Sequence, residues 1–351
     1  MLKPLTRARE KSTTPLPLSE AICKYWVAWQ HMNWPLDWDH LFGRSAPLVV
    51  EIGFGNGQFL VDLAQAHSDR NFVGIERAWS SIVHLFRRLE ISGIENVRVL
   101  ESDAGFAVRQ LFGPASLQDL FINFPDPWHK ERHHGRRLIN GPFIERVGER
   151  LIPGGMVTLA TDQADYAEWI TEALEGQSAL KSKHTSTWLD FLPGRKPTKY
   201  EEKALRSGVP IRYFEWQQMN QVKVNRVVEK VGEMPNVILD GEFDATKILV
   251  DGQQMVWKET EKNVHAVVKL MDVYSHLNDG HRLVSMMVQE GELVQYFGIS
   301  VVFRDDNILV KLASIGQPRA TWGVKLAVLK IADRVMRDAP GLRVKSSTID
   351  I

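Results

Sequence analysis

The alternation of apolar runs with helical periodicity between residues 48 and 174 is the feature that most restricts the fold of this chain. Each run is rich in branched and aromatic residues, and apolar positions spaced three or four apart follow it. Strands and helices that alternate at this spacing form a doubly wound, mostly parallel sheet, an α/β fold. The predicted strands lie at 48–52, 71–76, 97–100, 119–124 and 156–160, and the helices at 58–66, 80–91, 142–151 and 164–174, with a turn at 153–155.

Polar groups end four of the predicted strands, where open parallel sheets bind their ligands. Gly53, Gly55 and Gly57 lack the G-x-G-x-x-G spacing of dinucleotide folds, but a glycine-rich loop still lets backbone approach an uncharged or zwitterionic ligand. Glu76 is placed to accept hydrogen bonds from ribose hydroxyls, and Asp103 to accept one from an adenine amino group. This order predicts S-adenosyl-L-methionine as the cofactor, and a nicotinamide-dependent dehydrogenase is the less favoured alternative.

A carboxylate between two prolines follows the fourth strand, in Phe124-Pro125-Asp126-Pro127-Trp128. The prolines restrict Asp126, and Trp128 offers a stacking surface, so this segment suits a flat heterocycle. The cationic and imidazole side chains that come next, at residues 129–137, suit phosphates. The alternative is a proline-rich turn followed by a solvated basic helix start.

Composition excludes several classes of protein. With 351 residues and 44% hydrophobic composition, the chain is long enough for two domains. A single cysteine argues against disulfides and multi-cysteine zinc sites, and predicts a reducing cytoplasm. No run approaches the roughly 18 apolar residues of a membrane span. His133 and His134 are adjacent and have no third ligand, so we predict no metal. Lys+Arg and Asp+Glu are equal at 43 each, so any nucleic-acid surface must be local.

The chain divides into four predicted parts. Residues 1–20 read as a basic flexible arm, and residues 21–218 as a Rossmann-like methyltransferase domain that includes a tryptophan-rich cap at 21–42. Residues 219–236 read as a connector. Residues 237–351 predict a small α+β domain of unknown role, with strands at 247–250, 254–257, 264–274, 283–288, 293–303 and 308–313 and a helix at 322–337. The oligomeric state, monomer or homodimer, stays open.

Residues 36–218 resemble the bacterial tRNA (guanine-N7)-methyltransferases. The Pro-Asp-Pro-Trp and Thr-Lys-(aromatic)-Glu elements are the most specific. The matching elements, in order, are Glu51-Ile52-Gly53-Phe54-Gly55-x-Gly57, Gly74-Ile75-Glu76, Asp103-Ala104, Phe124 to Trp128 with Lys130, Arg132, His133, Arg136 and Arg137, Ala160-Thr161-Asp162, and Thr198-Lys199-Tyr200-Glu201.

The resemblance implies a site and a substrate. The target would be the guanosine at position 46 in the variable loop of tRNA, and Asp126 the main catalytic residue. Glu51, Glu76, Asp103 and Asp126 would line the cofactor site, with Gly53 and Gly55 between them. The residues implied to hold the target nucleotide are Lys130, Asp162, Thr198, Lys199, Tyr200 and Glu201, and those implied to contact RNA are Arg132, His133, His134, Arg136 and Arg137.

The chain departs from the family pattern at several positions. Glu131 and Gly135 stand where basic residues are usual, so RNA affinity is expected to rely on the N-terminal arm or the C-terminal domain. We hypothesise that the C-terminal domain, residues 237–351, clamps tRNA or stabilises the fold. Residues 77–80 and 203–206 also differ, which affects substrate positioning rather than the chemistry. A second basic cluster flanks the predicted Thr198–Glu201 loop, for which solvated surface charge is the alternative; it comprises Lys196, Lys199, Lys203, Arg206 and Arg212.

The chemistry of guanine N7 explains the acidic residues. N7 carries a free lone pair, so its methylation needs no general base. The Watson–Crick edge of guanine presents donors, for which Asp126, Asp162 and Glu201 are suitable acceptors. Asp162 has an alternative role as the N-cap of the helix near residue 163. Two other classes stay open: a methyltransferase acting on a protein or small molecule, and a non-catalytic tRNA-binding module.

Overall fold

The structure is a computed structural model that describes residues 18–219, 232–251, 253–261, 264–275 and 280–349. It divides into two compact units, the first made of Met1–Trp29 and Trp34–Val228 and the second of Gln30–Asn33 and Glu229–Ile351. Most of the predicted arm, up to residue 17, and residues 220–231 of the predicted connector lie outside the described residues. In the described part of the chain, no helix has the length and apolar character needed to cross a membrane.

The first unit alternates strands and helices as predicted. Its described strands are β1 (Leu48–Ile52), β2 (Asn71–Glu76), β3 (Val97–Glu101), β4 (Leu117–Asn123), β5 (Leu151–Thr161), β6 (Leu180–Ser182) and β7 (Arg212–Gln218). Its described helices are α1 (Leu18–Tyr25), α2 (Trp38–Phe42), α3 (Gln58–Ala66), α4 (Trp79–Ser92), α5 (Ala104–Gln110), α6 (Gly141–Arg150), α7 (Ala164–Glu175) and α8 (Lys199–Arg206). Helix α1 begins inside the segment predicted as an arm.

The sheet of the first unit has the order β3-β2-β1-β4-β5-β7-β6. Strands β1 to β5 pair in parallel, and β7 lies antiparallel between β5 and β6. All residues of β1 are buried because the strand lies inside the sheet and helices pack on either side. The predicted doubly wound, mostly parallel sheet is therefore confirmed. Helices α5 and α8 and strands β6 and β7 were not predicted.

Strand β5 differs from its prediction. It begins at Leu151 rather than Met156, and its pairing with β4 shifts register between Leu117 and Asp119. The predicted turn at 153–155 is therefore a bulge inside the strand. Gly155 is needed there, since a Cβ atom would lie 2.8 Å from the Gln118 carbonyl oxygen.

The tryptophan-rich segment packs on the first unit, as predicted. Trp29, Trp34 and Trp38 are 3–7% exposed. The indole Nε1 of Trp29 donates to the Glu101 carbonyl at 3.1 Å. The rings of Trp29 and Trp34 each lie 5.1 Å from the ring of Phe106, between centroids. These contacts explain the tryptophans as core residues.

The second unit is an antiparallel sheet with a helix packed on one face, which confirms the predicted α+β domain. Its described strands are β8 (Asn236–Asp240), β9 (Met255–Glu261), β10 (Val264–Ser275), β11 (His281–Glu290), β12 (Leu293–Phe303), β13 (Asn307–Leu312) and β14 (Arg343–Ser347), in the order β14-β8-β13-β12-β11-β10-β9. Helix α9 (Trp322–Asp338) buries Val328, Ile331 and Val335 against the sheet. The strand predicted at 247–250 is wrong: a 3₁₀ turn at Ala245–Lys247 precedes the buried side chains of Ile248 and Leu249.

Candidate active site

The glycine loop after β1 opens the sheet edge to a ligand. Gly53, Gly55 and Gly57 have φ angles of +69°, +53° and +75°, which residues other than glycine rarely adopt. A Cβ atom at Gly57 would lie 2.6 Å from Leu85 Cδ1, so this glycine lets α3 pack against α4. Cβ atoms at Gly53 and Gly55 would meet no atom within 4 Å. The loop therefore presents bare backbone to open space.

Carboxylates stand at the ends of β2 and β3, on the same edge as the glycine loop. Glu76 accepts from the backbone amides of Gly55 at 3.2 Å and Arg77 at 2.8 Å. Asp103 caps α5 through a bond from the Phe106 amide, and its side chain is 40% exposed. Each carboxylate has further lone pairs, so both remain able to accept hydrogen bonds from a ligand.

Glu51, near the end of β1, has a buried carboxyl group in which one oxygen has no hydrogen-bond partner. It is 2% exposed, and its Oε1 accepts from Asn123 Nδ2 at 3.0 Å. Its Oε2 is buried and has no hydrogen-bond partner. Burial raises the pKa of Glu51 to about 8, although Asn123 and Arg195 act to lower it. A buried acceptor without a partner is costly, and so it marks a place that a donor from a ligand would fill.

The Phe124–Trp128 segment is held in an unusual conformation. Phe124 and Trp128 have φ angles of +52° and +45°, in the left-handed region that bulky residues avoid. Arg137 fixes the segment by donating from Nε to the Pro127 carbonyl at 2.8 Å. Asp126, between the prolines, is exposed. Strain of this kind is retained where the surrounding structure needs one conformation.

Arg137, which is expected to contact RNA, is buried in the structure. Arg137 is 6% exposed, and its guanidinium lies 5.0 Å from the ring of Tyr166 and 4.9 Å from that of Trp169. A guanidinium enclosed by two rings and a carbonyl favours a supporting role over a phosphate contact. It supports the segment that carries Asp126.

Asp126 and Asp162 line the same cavity, of about 360 Å³. Phe124 and Tyr200 also line it, with ring centroids 6.0 Å apart. Helix α7 is capped at Gln163 without a side-chain bond, so the alternative role of Asp162 as an N-cap is wrong. Asp162 Oδ1 instead accepts from Gln163 Nε2 at 2.9 Å. The cavity thus combines two carboxylates with aromatic surface.

The segment predicted as a loop at Thr198–Glu201 is the start of α8. Thr198 accepts from the Glu201 amide at 3.1 Å, and Glu201 accepts from the Thr198 amide at 2.5 Å, which makes a capping box. Lys199 and Tyr200 are exposed. Glu201 is 1% exposed and ion-paired with Arg195 at 2.8 Å, so its carboxylate is engaged inside the protein rather than presented to a base.

The basic segment after Trp128 forms a 3₁₀ helix at Glu131–Arg136. Lys130, Arg132 and Arg136 are exposed, and the guanidinium of Arg136 lies 5.1 Å from the Trp128 ring. His133 and His134 are half-buried and pack edge-on, at 5.9 Å from Trp128 and 5.8 Å from Trp169. No cluster of residues able to hold a metal occurs within the described residues.

The second predicted basic cluster is partly neutralised. Lys196 pairs with Asp62 at 2.8 Å, and Arg206 lies 3.6 Å from Glu202. Lys199 and Lys203 are exposed on α8, and Lys203 also lines the cavity. These two lysines are the members best placed to meet an anionic ligand.

The sequence analysis missed two residues of the site, the half-buried Asn123 and Arg195, whose side chain is buried. Asn123, the last residue of β4, bonds to Glu51, and Arg195 bonds to both Asn123 and Glu201. Asn123 stands directly before the Phe124–Trp128 segment, and a polar residue at a strand end was an available signal. Arg195 follows a Pro-Gly pair in a loop, and no periodicity marks it.

Known proteins place the chain in a family. A family model described as "Putative methyltransferase" matches residues 45–213. The tRNA (guanine-N(7)-)-methyltransferase of Thermotoga maritima is 31% identical over 304 residues, 86% of this chain and 94% of that protein. The chain belongs to the tRNA (guanine-N(7)-)-methyltransferase family. It is therefore an enzyme, a methyltransferase whose first unit has the Rossmann-like fold. The match is longer than this unit, so it includes part of the second.

Two further matches cover about half of this chain. The tRNA (guanine-N(7)-)-methyltransferase of Cutibacterium acnes is 43% identical over 188 residues, 53% of this chain and 68% of that protein. A solved structure of the 16S rRNA methyltransferase KamB is 12% identical, covers 52% of this chain and 93% of that chain, and has a TM-score of 0.40.

Proposed function

We propose that the enzyme transfers the methyl group of S-adenosyl-L-methionine to N7 of a guanine in tRNA, the guanosine at position 46 of the variable loop. The family relationship supports the reaction and the substrate. The observation that carries the proposal is the cavity lined by Asp126, Asp162 and Tyr200, which follows directly on the strand end that bonds to Glu51.

The residues at the sheet edge fit the cofactor. Its three kinds of donor are an ammonium, ribose hydroxyls and an adenine amino group, and the edge offers three carboxylates. We assign the unpartnered Oε2 of Glu51 to the ammonium, Glu76 to the ribose and Asp103 to the adenine. Gly53 and Gly55 leave the space between them free of side chains. When bound, S-adenosyl-L-methionine supplies a methyl group activated by its sulfonium.

The cavity fits a guanine taken out of its stack. Tyr200 and Phe124 offer ring faces for stacking, and the carboxylates of Asp126 and Asp162 accept hydrogen bonds from the N1–H and N2–H₂ donors of the Watson–Crick edge. Gripping that edge leaves N7 uncovered. An arginine at N7 would block the reaction by bonding to the lone pair, and within the described residues the cavity has no arginine lining.

Asp126 is the catalytic residue of this proposal. N7 carries its lone pair at neutral pH, so no general base is required, and the protein contributes mainly by orienting the base. Positive charge moves onto the purine as the methyl group is transferred. Asp126, held between Pro125 and Pro127 in the lining of the cavity, stabilises that charge without reorganisation.

The exposed cations near the cavity hold the RNA backbone. The exposed members are Lys130, Arg132, Arg136, Lys199 and Lys203, and the half-buried His133 and His134 belong to the same basic segment as the two arginines. Their contacts with phosphates orient the RNA without reading its sequence. Arg137, Thr198 and Glu201 serve as internal supports of the segments that carry Asp126 and Tyr200.

The test is methyl transfer from labelled S-adenosyl-L-methionine to an unmodified tRNA transcript, with the product mapped by N7-specific strand cleavage. We expect label at the variable-loop guanine, and a reduction of about 10²-fold in Asp126→Asn. Asp165→Asn, an exposed aspartate in the first turn of α7, is the control and keeps full activity. Cofactor binding without label in any tRNA would point to a protein or small-molecule substrate, and tRNA binding without transfer to a non-catalytic module.

A further inference from the structure

A chain of partly buried hydrogen bonds joins the cofactor edge of the sheet to α8. Arg195 lies at its middle, with a side chain that is 6% exposed. Its Nη2 donates to Asn123 Oδ1 at 2.6 Å, and its Nε donates to Glu201 Oε1 at 2.8 Å. The guanidinium also lies over the ring of Phe59, 4.7 Å from the centroid. Arg195 is thereby held on several sides and cannot turn to solvent.

Arg195 decides which way the Asn123 amide faces. A guanidinium only donates, so the oxygen of Asn123 must face Arg195 and its NH₂ group must face Glu51. That NH₂ group donates to Glu51 Oε1 at 3.0 Å and leaves Oε2 as the unpartnered acceptor. Once Glu51 is ionised opposite the cofactor ammonium, a reversed amide would set its oxygen against the carboxylate and would remove this donor. The orientation of Glu51 therefore depends on a residue that does not touch it.

The other end of the chain holds the helix that carries Tyr200. Glu201 accepts from Arg195 and from the Thr198 amide, and so it closes the capping box while it binds the guanidinium. Both partners of Glu201 lower its pKa against the effect of burial, so the carboxylate is held charged. The charged pair fixes the first turn of α8 to the loop at Arg195.

We propose that Arg195 is a positioning residue that couples the cofactor site to the guanine site. It orients Asn123 so that Glu51 offers Oε2 to the cofactor, and it holds the first turn of α8 so that Tyr200 faces the cavity. The inference rests on the proposed function, since it assigns one shared support to the two halves of that site.

The experiment compares Arg195→Met with Arg150→Met. Arg150 is the matched control, because it is 5% exposed in the same unit and donates to the carbonyls of Val108 and Arg109, away from the site. Affinity for S-adenosyl-L-methionine is measured by calorimetry, and kcat and KM with a tRNA transcript. We expect Arg195→Met to weaken cofactor binding about tenfold, the effect of one hydrogen bond to a charged group. KM for tRNA should also rise, whereas Arg150→Met lowers Tm alone.

A double-mutant cycle separates positioning from general stability. If Arg195 acts on Glu51 through Asn123, the losses of cofactor affinity in Arg195→Met and Asn123→Ala do not add in the double variant. Arg195→Lys is the conservative variant, and it still tests the proposal if Arg195→Met does not fold. A lysine can reach Asn123 or Glu201 but lacks the fork that binds both, so we expect it to recover one of the two effects.

Three outcomes would overturn the proposal: unchanged cofactor affinity in Arg195→Met, strictly additive losses in the cycle, or full recovery in Arg195→Lys. Calorimetry needs no methyl acceptor, so these results are read independently of the reaction. A wild-type enzyme that binds cofactor but leaves tRNA unlabelled would instead count against the proposed function, while the comparison of Arg195→Met with Arg150→Met would still stand.

Discussion

Replacing Glu51 by glutamine should make the cofactor-free protein more stable at alkaline pH. Burial raises the pKa of this carboxyl from 4.5 to about 8, so the cofactor-free protein holds it protonated at neutral pH. The folded protein then binds one more proton than the unfolded chain between these two values. Its free energy of unfolding consequently falls as pH rises through the window, because the folded state must bury a charge. Glutamine has no proton to lose.

The magnitude follows from the size of the pKa shift. A rise from 4.5 to about 8 corresponds to on the order of 5 kcal/mol when the window has been crossed, at about 1.36 kcal/mol for each pH unit. Between pH 5.5 and 8.5, the wild-type protein should lose about 3 kcal/mol more than Glu51→Gln. For a unit of this size, that difference corresponds to about 6–12 °C in Tm.

The assay is chemical and thermal unfolding of the wild type, Glu51→Gln and Glu95→Gln at several pH values without cofactor. Glu95 is the control, since its side chain is 81% exposed in the same unit and its removal should leave the pH dependence unchanged. Glu51→Gln should also lose affinity for S-adenosyl-L-methionine, because the acceptor for the ammonium is gone. Parallel stability curves for the wild type and Glu51→Gln would refute the reasoning.

Three further outcomes are expected. Lys130→Ala should weaken tRNA binding and reduce its salt slope by about one, as measured by binding titrations at several salt concentrations. Arg137→Ala should lower Tm in thermal unfolding, because its hydrogen bond to the Pro127 carbonyl is lost. Thr198→Ala should cost about 1 kcal/mol of stability by opening the capping box, measured by urea unfolding, and Thr198→Ser should recover it. A chain that ends at Met234 should keep its cofactor affinity by calorimetry, since the residues assigned to the cofactor precede it; a large loss would contradict that assignment.

Much of the first unit could be predicted because its strands are buried on both faces. Runs such as residues 48–52 are apolar except for Glu51, and the glycines or acids at their ends mark the edge where ligands bind. The capping box at Thr198 and Glu201 was also visible as T-x-x-E, yet it was interpreted as a loop. The T-x-x-E spacing was sufficient to predict the start of a helix at this position. The segment was interpreted instead through the family motif, as a set of side chains that bind the nucleotide.

The support of the site could not be predicted, because it depends on distances through space. Asn123 and Glu51 are 72 residues apart and meet because β4 pairs with β1. Arg195 comes from a loop with no periodic pattern, and its charge resembles that of the exposed lysine beside it, Lys196. The burial of Arg137 could not be predicted for the same reason, since a buried and an exposed arginine look alike within a basic run of the sequence.

The buried arginines explain how irregular segments can hold a site in place. The Phe124–Trp128 segment and the loop before Thr198 are not held by strand pairing. In each case hydrogen bonds from an arginine side chain, Arg137 or Arg195, hold the segment instead. A guanidinium can do this because its fork satisfies several acceptors in fixed directions, whereas an ammonium offers a single charged point. Arg137→Lys should therefore keep the charge and still loosen the segment, which would lower kcat while leaving the salt slope of tRNA binding unchanged. A changed salt slope of tRNA binding with an unchanged kcat would instead indicate that Arg137 contacts RNA.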